Sequence, residues 1–208
     1  MSPFDIVKEH KPLYMPSARH PAIVDVPELA FLMVDGRGDP GASEAFEHAM
    51  QALYSVAYTL KFTLKKLDPE RDFKVAPVEG LWWGDDAKPS LADLQRDRDS
   101  WNWTLMMAVP GAVTADEVAA ALEAAARKKD LSAKPLLRLE RFEEGLAAQI
   151  MHLGPYAEEA PTIERLHAWV AEQGYELRGR HHEIYLGDPR RTAPERLKTV
   201  LRHPVQPG

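Results

Sequence analysis

The chemistry in this sequence gathers around Glu183, in the run His181-His182-Glu183-Ile184-Tyr185-Leu186. Strand alternation sends His181, Glu183 and Tyr185 to one face and His182, Ile184 and Leu186 to the other. A carboxylate among aromatic and apolar neighbours is costly unless it is paired, hydrogen-bonded or protonated. Two readings follow. Glu183 either holds a cationic or polar ligand, or acts as a general base, or it faces solvent or pairs structurally with an arginine. Glu79, in Pro77-Val78-Glu79-Gly80-Leu81-Trp82-Trp83-Gly84, carries the same two readings. Tyr156 and Tyr185 add phenolic donors, and His152 lies just ahead of Tyr156.

Trp82, Trp83, Trp101 and Trp103 come from two neighbouring segments. Trp101 and Trp103 share a strand face with Leu105 and Met107. Rings supply large apolar area with few rotamers, so these four suit a wall for a flat ligand or ordinary core packing. Tyr54, Tyr58 and Phe62 recur every four residues and so line up along one side of a helix, where core packing is the simpler expectation and Tyr54 and Tyr58, like Met107 and His152, are the candidates for ligand contact.

No metal site is expected. His181 and His182 are adjacent and point oppositely on a strand, and no His-Glu-x-x-His helix exists. Without a cysteine there is no thiolate chemistry and no disulfide framework. Gly36-Arg37-Gly38 falls short of a phosphate loop or dinucleotide fingerprint, and its glycines suit a turn. No Ser-His-Asp arrangement stands out, and no cofactor is expected.

The elements that must position these residues follow from periodicity. Residues 1–23 carry Pro3, Pro12, Pro16 and Pro21, which permit only short helical pieces and read as an arm. Leu29–Val34 is a buried strand closed by a turn over Asp35–Pro40. Ser43 caps a helix with Phe46, Met50, Leu53, Ala57, Leu60 and Leu64 on one face. Strands over Phe73–Trp83 and Trp101–Val109 follow, separated by a polar loop running to about Asp99. Thr114 and Glu117 open an alanine-rich helix as a capping box. Leu136–Leu153 is a long strand or a bent pair, Thr162 caps a helix that stops at Gly174, Tyr175–Leu186 is extended, and Leu197–His203 is a last strand.

The two halves share one order: strand, glycine turn, helix, strand, strand. The fold class is therefore α+β: a tandem strand-helix-strand-strand repeat, about 24–130 and 131–208, with antiparallel sheets, helices and a central ligand groove. Glu79 and Glu183 occupy matching places in this repeat.

At 208 residues, 45% hydrophobic and 28% charged, the chain has an ordinary globular composition. A net charge of -6 and a pI near 5.8 argue against a broad footprint for nucleic acid or anionic membrane. No signal peptide or membrane span is legible, so the expected location is the cytoplasm. The expected partner is a small molecule, and a monomer is compatible with the sequence.

These residues resemble those of stand-alone GyrI-like proteins over about residues 5–205. Val34-Asp35-Gly36-Arg37-Gly38-Asp39-Pro40, Glu79-Gly80-Leu81-Trp82-Trp83, Gln149–Tyr156 and the stretch from His181 through Val205 carry the likeness. The resemblance implies two modules enclosing a ligand groove, with a glutamate on the penultimate strand meeting the ligand. Glu183 matches that position, with Tyr185 and Trp103 near it. The DNA-binding helix-turn-helix of the related regulators has no counterpart in the sequence. Some stand-alone members open the cyclopropane ring of DNA-alkylating natural products by adding water. The resemblance thus implies either such a hydrolase, with Glu183 as base and Tyr156, Tyr185 or an indole as donor, or a non-catalytic binder or sensor. Gyrase modulation is a third reading.

Overall fold

A computed structural model describes residues 2–84, 100–129, 131 and 136–208. Most of the polar segment ahead of Asp99, and the boundary between the halves near residue 130, lie outside them. The N-terminal arm forms two short helices, α1 (Ile6–Glu9) and α2 (Lys11–Tyr14). Then come β1 (Ala22–Val26), β2 (Leu29–Arg37), α3 (Glu44–Leu67), β3 (Val78–Trp83) and β4 (Asn102–Val109). The second half begins after α4 (Ala115–Ala126). It runs β5 (Arg138–Phe142), β6 (Gly145–Leu153), α5 (Ala160–Glu172), β7 (Tyr175–Leu177), β8 (His181–Tyr185) and β9 (Lys198–Pro207). Among the described residues no helix is long and apolar enough to cross a membrane.

Local chemistry sets these boundaries. The Ser43 hydroxyl accepts the Phe46 amide at the start of α3, and Thr114 and Glu117 complete a reciprocal capping box on α4. Leu53, Ala57, Leu60 and Leu64 bury the expected face of α3, joined by Ala49, Ala52 and Val56. Tyr54, Tyr58 and Phe62 do not join the core, because their side of α3 faces away from the sheet. They are 38%, 47% and 60% exposed. Thr162 does not cap α5: Glu159 precedes the helix, Pro161 enters its first turn, and the Thr162 hydroxyl bonds His152 Nδ1 at 3.0 Å.

The nine strands form one antiparallel sheet in the order β1-β6-β9-β8-β3-β4-β2-β5, with β7 added to β9. Each half contributes a three-stranded unit, β2-β4-β3 or β6-β9-β8, and the units meet along β3·β8. Their far edges are joined too. Ala22 pairs with Gln149 and Leu29 with Phe142, seven residues on along one chain segment and seven back along the other. Thus β1–β2 and β5–β6 are two long bent strands in one register, kinked at Pro27-Glu28 and Glu143-Glu144. The two ends of the strand order are only a two-residue link apart, so the sheet must curl strongly.

Cross-strand partners share a face. One face carries Leu32, Val34, Trp103, Leu105, Met107, Val78, Gly80, Trp82, His181, Glu183, Tyr185, Leu201, His203 and Ile150. Both long helices pack here. Phe46 of α3 meets Trp82 and Trp103, while Ile163, Leu166 and Val170 of α5 cluster with Ala148, Ile150 and Leu201. The other face carries Glu79, His182, Ile184, Val200 and Arg202, and the N-terminal arm crosses it: Gln149 donates to the Pro12 carbonyl and Arg202 to that of Leu13.

Candidate functional site

Strand β8 lies between the sheet regions under α3 and under α5, and it presents Glu183 on the helix side. The register sets Glu183 opposite Gly80, so the strand beside it adds no side chain there. Tyr185 donates its hydroxyl to Glu183 Oε2 at 2.6 Å, and His181 Nε2 lies 3.2 Å from Oε1. The Glu183 side chain keeps 16% exposure. Burial alone would raise its pKa, but the bonds from His181 and Tyr185, with the nearby charge of His181 and His182, outweigh burial and hold it below the ordinary glutamate value. Glu183 is thus held as an ionised carboxylate.

Beside it is a carboxyl of opposite character. Glu159, 5% exposed, has an Oε1 with no hydrogen-bond partner. Burial, then the negative charge of Glu183, pushes it up to about 9, with only a small opposing effect from the Thr199 hydroxyl. Two carboxyl groups whose environments drive them apart in this way make an acid and a base at one pH. Sequence reasoning passed over Glu159. The available signal was an acid at the mouth of a helix, three residues after the turn Gly154-Pro155-Tyr156.

Aromatic rings surround the pair. Tyr156 packs edge-on to Tyr185 at 5.4 Å between centroids, and burial, then Glu159 and Glu183, raises its hydroxyl to about 12. Burial and the Glu183 charge put Tyr185 well above the usual tyrosine value. Tyr54 of α3, 38% exposed, lies close enough to act on Tyr156 electrostatically and also stacks on Tyr58. Trp82 stacks on Phe46 and meets Trp101 edge-on at 5.6 Å. Its buried indole N–H has no hydrogen-bond partner and sits near the Tyr185 hydroxyl. His152 pairs with Thr199 across the ladder, with its Nε2 buried and unpartnered.

Other sequence-predicted residues lie elsewhere. Trp103 and Met107 share the Glu183 face but are 0% exposed, so they support the site from within the core. Tyr58 lines a concavity of about 270 Å³ with Lys128 and Lys129 on the flank of α3. Trp83 projects through the opposite face, where the Arg180 guanidinium lies 3.6 Å over its ring beside a concavity of about 480 Å³.

Glu79 also points through that opposite face. It accepts from the Tyr14 hydroxyl at 2.8 Å and lies 3.0 Å from His182 Nε2. His182 Nδ1 is 3.1 Å from both oxygens of Glu144, which also accepts from Arg202. Burial would lower the His182 pKa, but Glu144 and the bond to Glu79 raise it. Burial would likewise raise Glu144, and His182 with Arg202 bring it down to about 2. This is a buried, mutually satisfied network that ties the arm to the sheet. Glu79 and Glu183 therefore match in sequence context but not in position, because a shift of one residue along a strand changes the face.

The family model of the GyrI-like small molecule binding domain matches residues 19–206. No curated protein matches the chain. The structure is similar to that of an uncharacterized conserved protein from Listeria innocua, with 42% identity, TM-score 0.88 and coverage of 98% of this chain and 100% of that one. A structure described as a hydrolase from Listeria innocua is 39% identical, with TM-score 0.83 and the same coverage. The EcmrR C-terminal domain shares the fold at 13% identity and TM-score 0.57, covering 91% and 98% of the two chains.

Proposed function

The chain belongs to the family of GyrI-like small-molecule-binding domains, and from that premise we propose that it hydrolyses cyclopropane-bearing aromatic alkylators by adding water. The observation that carries this reading is the ionised Glu183 beside the protonated Glu159, ringed by Tyr54, Tyr156, Tyr185 and Trp82. The similarity to hydrolases from Listeria innocua, at 39% and 40% identity, supports it.

In this scheme the rings hold a flat substrate, and Glu183 takes a proton from a water aimed at the cyclopropane methylene. The water oxygen bonds to that carbon, the ring C–C bond breaks, and its electron pair flows into the conjugated carbonyl to give a phenolate. Glu159 supplies the proton that neutralises the phenolate, with Tyr156 and the Trp82 indole as further donors. Water is added overall and no redox partner is needed. Tyr185, already committed to Glu183, orients the base. A positioned base is worth about 10²–10⁴ in rate. The alkylating carbon is consumed, so the outcome is detoxification.

The test is incubation of the protein with a cyclopropane-bearing alkylator, followed by mass analysis. A released water adduct, formed over many turnovers, is the expected result. Recovery of unchanged compound from a stoichiometric complex would replace hydrolysis with sequestration by a binder.

A further inference from the structure

On the face of the sheet that carries Glu183, three histidines from three elements converge: His167 of α5, His181 of β8 and His203 of β9. One ring nitrogen of each lies within 4.8 Å of those of the other two. The rings pack at 5.1 Å between His167 and His203 and at 5.8 Å between His181 and His203. His181 and His203 are 4% and 5% exposed, whereas His167 is only partly buried and gives the cluster a side toward solvent.

The hydrogen bonding around the cluster is incomplete in a particular way. His167 Nε2, His181 Nδ1 and His203 Nδ1 are buried and have no hydrogen-bond partner among the described residues. Leaving such groups buried and unpaired is unfavourable. In the neutral tautomer that donates from Nε2 to Glu183, His181 Nδ1 carries the lone pair that a metal ion would take. The same face holds Leu201 and Ile163 nearby in an apolar cluster, with no thiolate in the chain.

We propose that His167, His181 and His203 form a binding site for one divalent transition-metal ion of the zinc class. Three imidazoles and no surplus of oxygen ligands select zinc, cobalt, nickel or copper over magnesium or calcium. Metal–nitrogen bonds of about 2.0–2.1 Å in a tetrahedral site require ring nitrogens about 3.3 Å apart. The present spacing, within 4.8 Å, must therefore close on binding. Three protein ligands leave a fourth position for water. The bond from His181 to Glu183 supplies the carboxylate partner that commonly fixes the tautomer of a metal-bound histidine. The ion would sit on the far side of His181 from Glu183, and its charge would tune Glu183 through His181. The site stands on its own geometry, whether or not the pocket is hydrolytic.

The experiment uses untagged full-length protein stripped with a chelator and titrated with zinc by calorimetry and with cobalt by visible absorption. One equivalent should bind, with the intense absorption of a four-coordinate cobalt ion and a rise in melting temperature. His167→Asn, on the partly exposed helix, and His203→Ala should each remove saturable binding over the range where the parent saturates. His20→Ala, at a surface histidine, should not change it. Glu183→Gln should weaken zinc by roughly 10–100-fold, the usual effect of losing a carboxylate partner. Absence of saturable binding by the parent protein overturns the proposal, as does binding that survives unchanged in both His167→Asn and His203→Ala.

Discussion

Glu183 stands opposite Gly80 across the β3·β8 ladder, and Glu79, one residue before Gly80, therefore projects through the other face of the sheet. The two glutamates occupy matching places in the order of elements and have opposite surroundings. Glu183 keeps a path to solvent and is held by Tyr185 and His181, which share its strand. Glu79 is 1% exposed and is held by residues distant in sequence, Tyr14 and His182.

The two should respond differently to the same substitution. Glu183→Gln still accepts from Tyr185 and loses its basicity, so the melting temperature should stay near that of the parent. Turnover of a cyclopropane-bearing alkylator should fall by about 10²–10⁴. Glu79→Gln leaves a buried charged neighbour short of its partner and should cost about 3–5 kcal/mol. Ligand handling in the folded fraction should survive. Melting curves and turnover on both variants check this pair, and a large stability loss in Glu183→Gln with turnover intact would sink the functional reading.

Glu159 gives the pocket a pH limit. It donates only while protonated, and it loses that proton as pH rises through about 9. Turnover should therefore decline above that value, and Glu159→Gln, which cannot titrate, should be slower yet lack this alkaline limb. A parent profile flat from neutral pH to well above 9 would remove Glu159 from the chemistry.

Glu144 gives the fold an acid limit. Its folded value of about 2 lies below the 4.5 of a free glutamate, so its contribution is fully present above the unfolded value and is lost as pH falls from about 4.5 toward 2. A shift of that size corresponds to about 3 kcal/mol. Urea unfolding across this window should show the loss, and Glu144→Gln should flatten the pH slope while lowering stability at neutral pH.

Much of this architecture is legible in the sequence because it depends on local spacing. The Ser43 and Thr114 caps, the buried stripe of α3 and the alternation of His181, Glu183 and Tyr185 each need only a few adjacent residues. What is not legible depends on register or convergence. The helix pattern could not tell that the rings of Tyr54, Tyr58 and Phe62 turn away from the sheet. The continuity of β1 with β2 past Pro27-Glu28, and the face of Glu79, follow from which strand pairs with which. Glu144 with Arg202, and His167 with His203, are separated by tens of residues and meet only when the sheet curls and α5 docks. Adjacent histidines on one strand argued against a metal set, but that argument did not extend to His181 with two histidines from other elements.

The last prediction concerns Gly80, the empty place facing Glu183. A Cβ there would lie 2.8 Å from Trp82 Nε1 and about as close to the rest of that indole, so the ring must move. The backbone of Gly80 needs no positive φ, which makes the collision the main cost of Gly80→Ala. Crowding of a packed interior typically costs about 1–3 kcal/mol. Gly111→Ala is the natural control, because nothing lies within 4 Å of its Cβ position and its effect should stay within about 0.5 kcal/mol. If Trp82 forms part of the ligand wall, Gly80→Ala should shift tryptophan emission and weaken binding of a flat aromatic ligand by about tenfold, equivalent to about 1.4 kcal/mol. Glu183, Tyr185 and His181 would stay in place. Fluorescence titration of both variants decides it: an affinity unchanged in Gly80→Ala, alongside a displaced Trp82 signal, would assign Trp82 to packing rather than to the ligand.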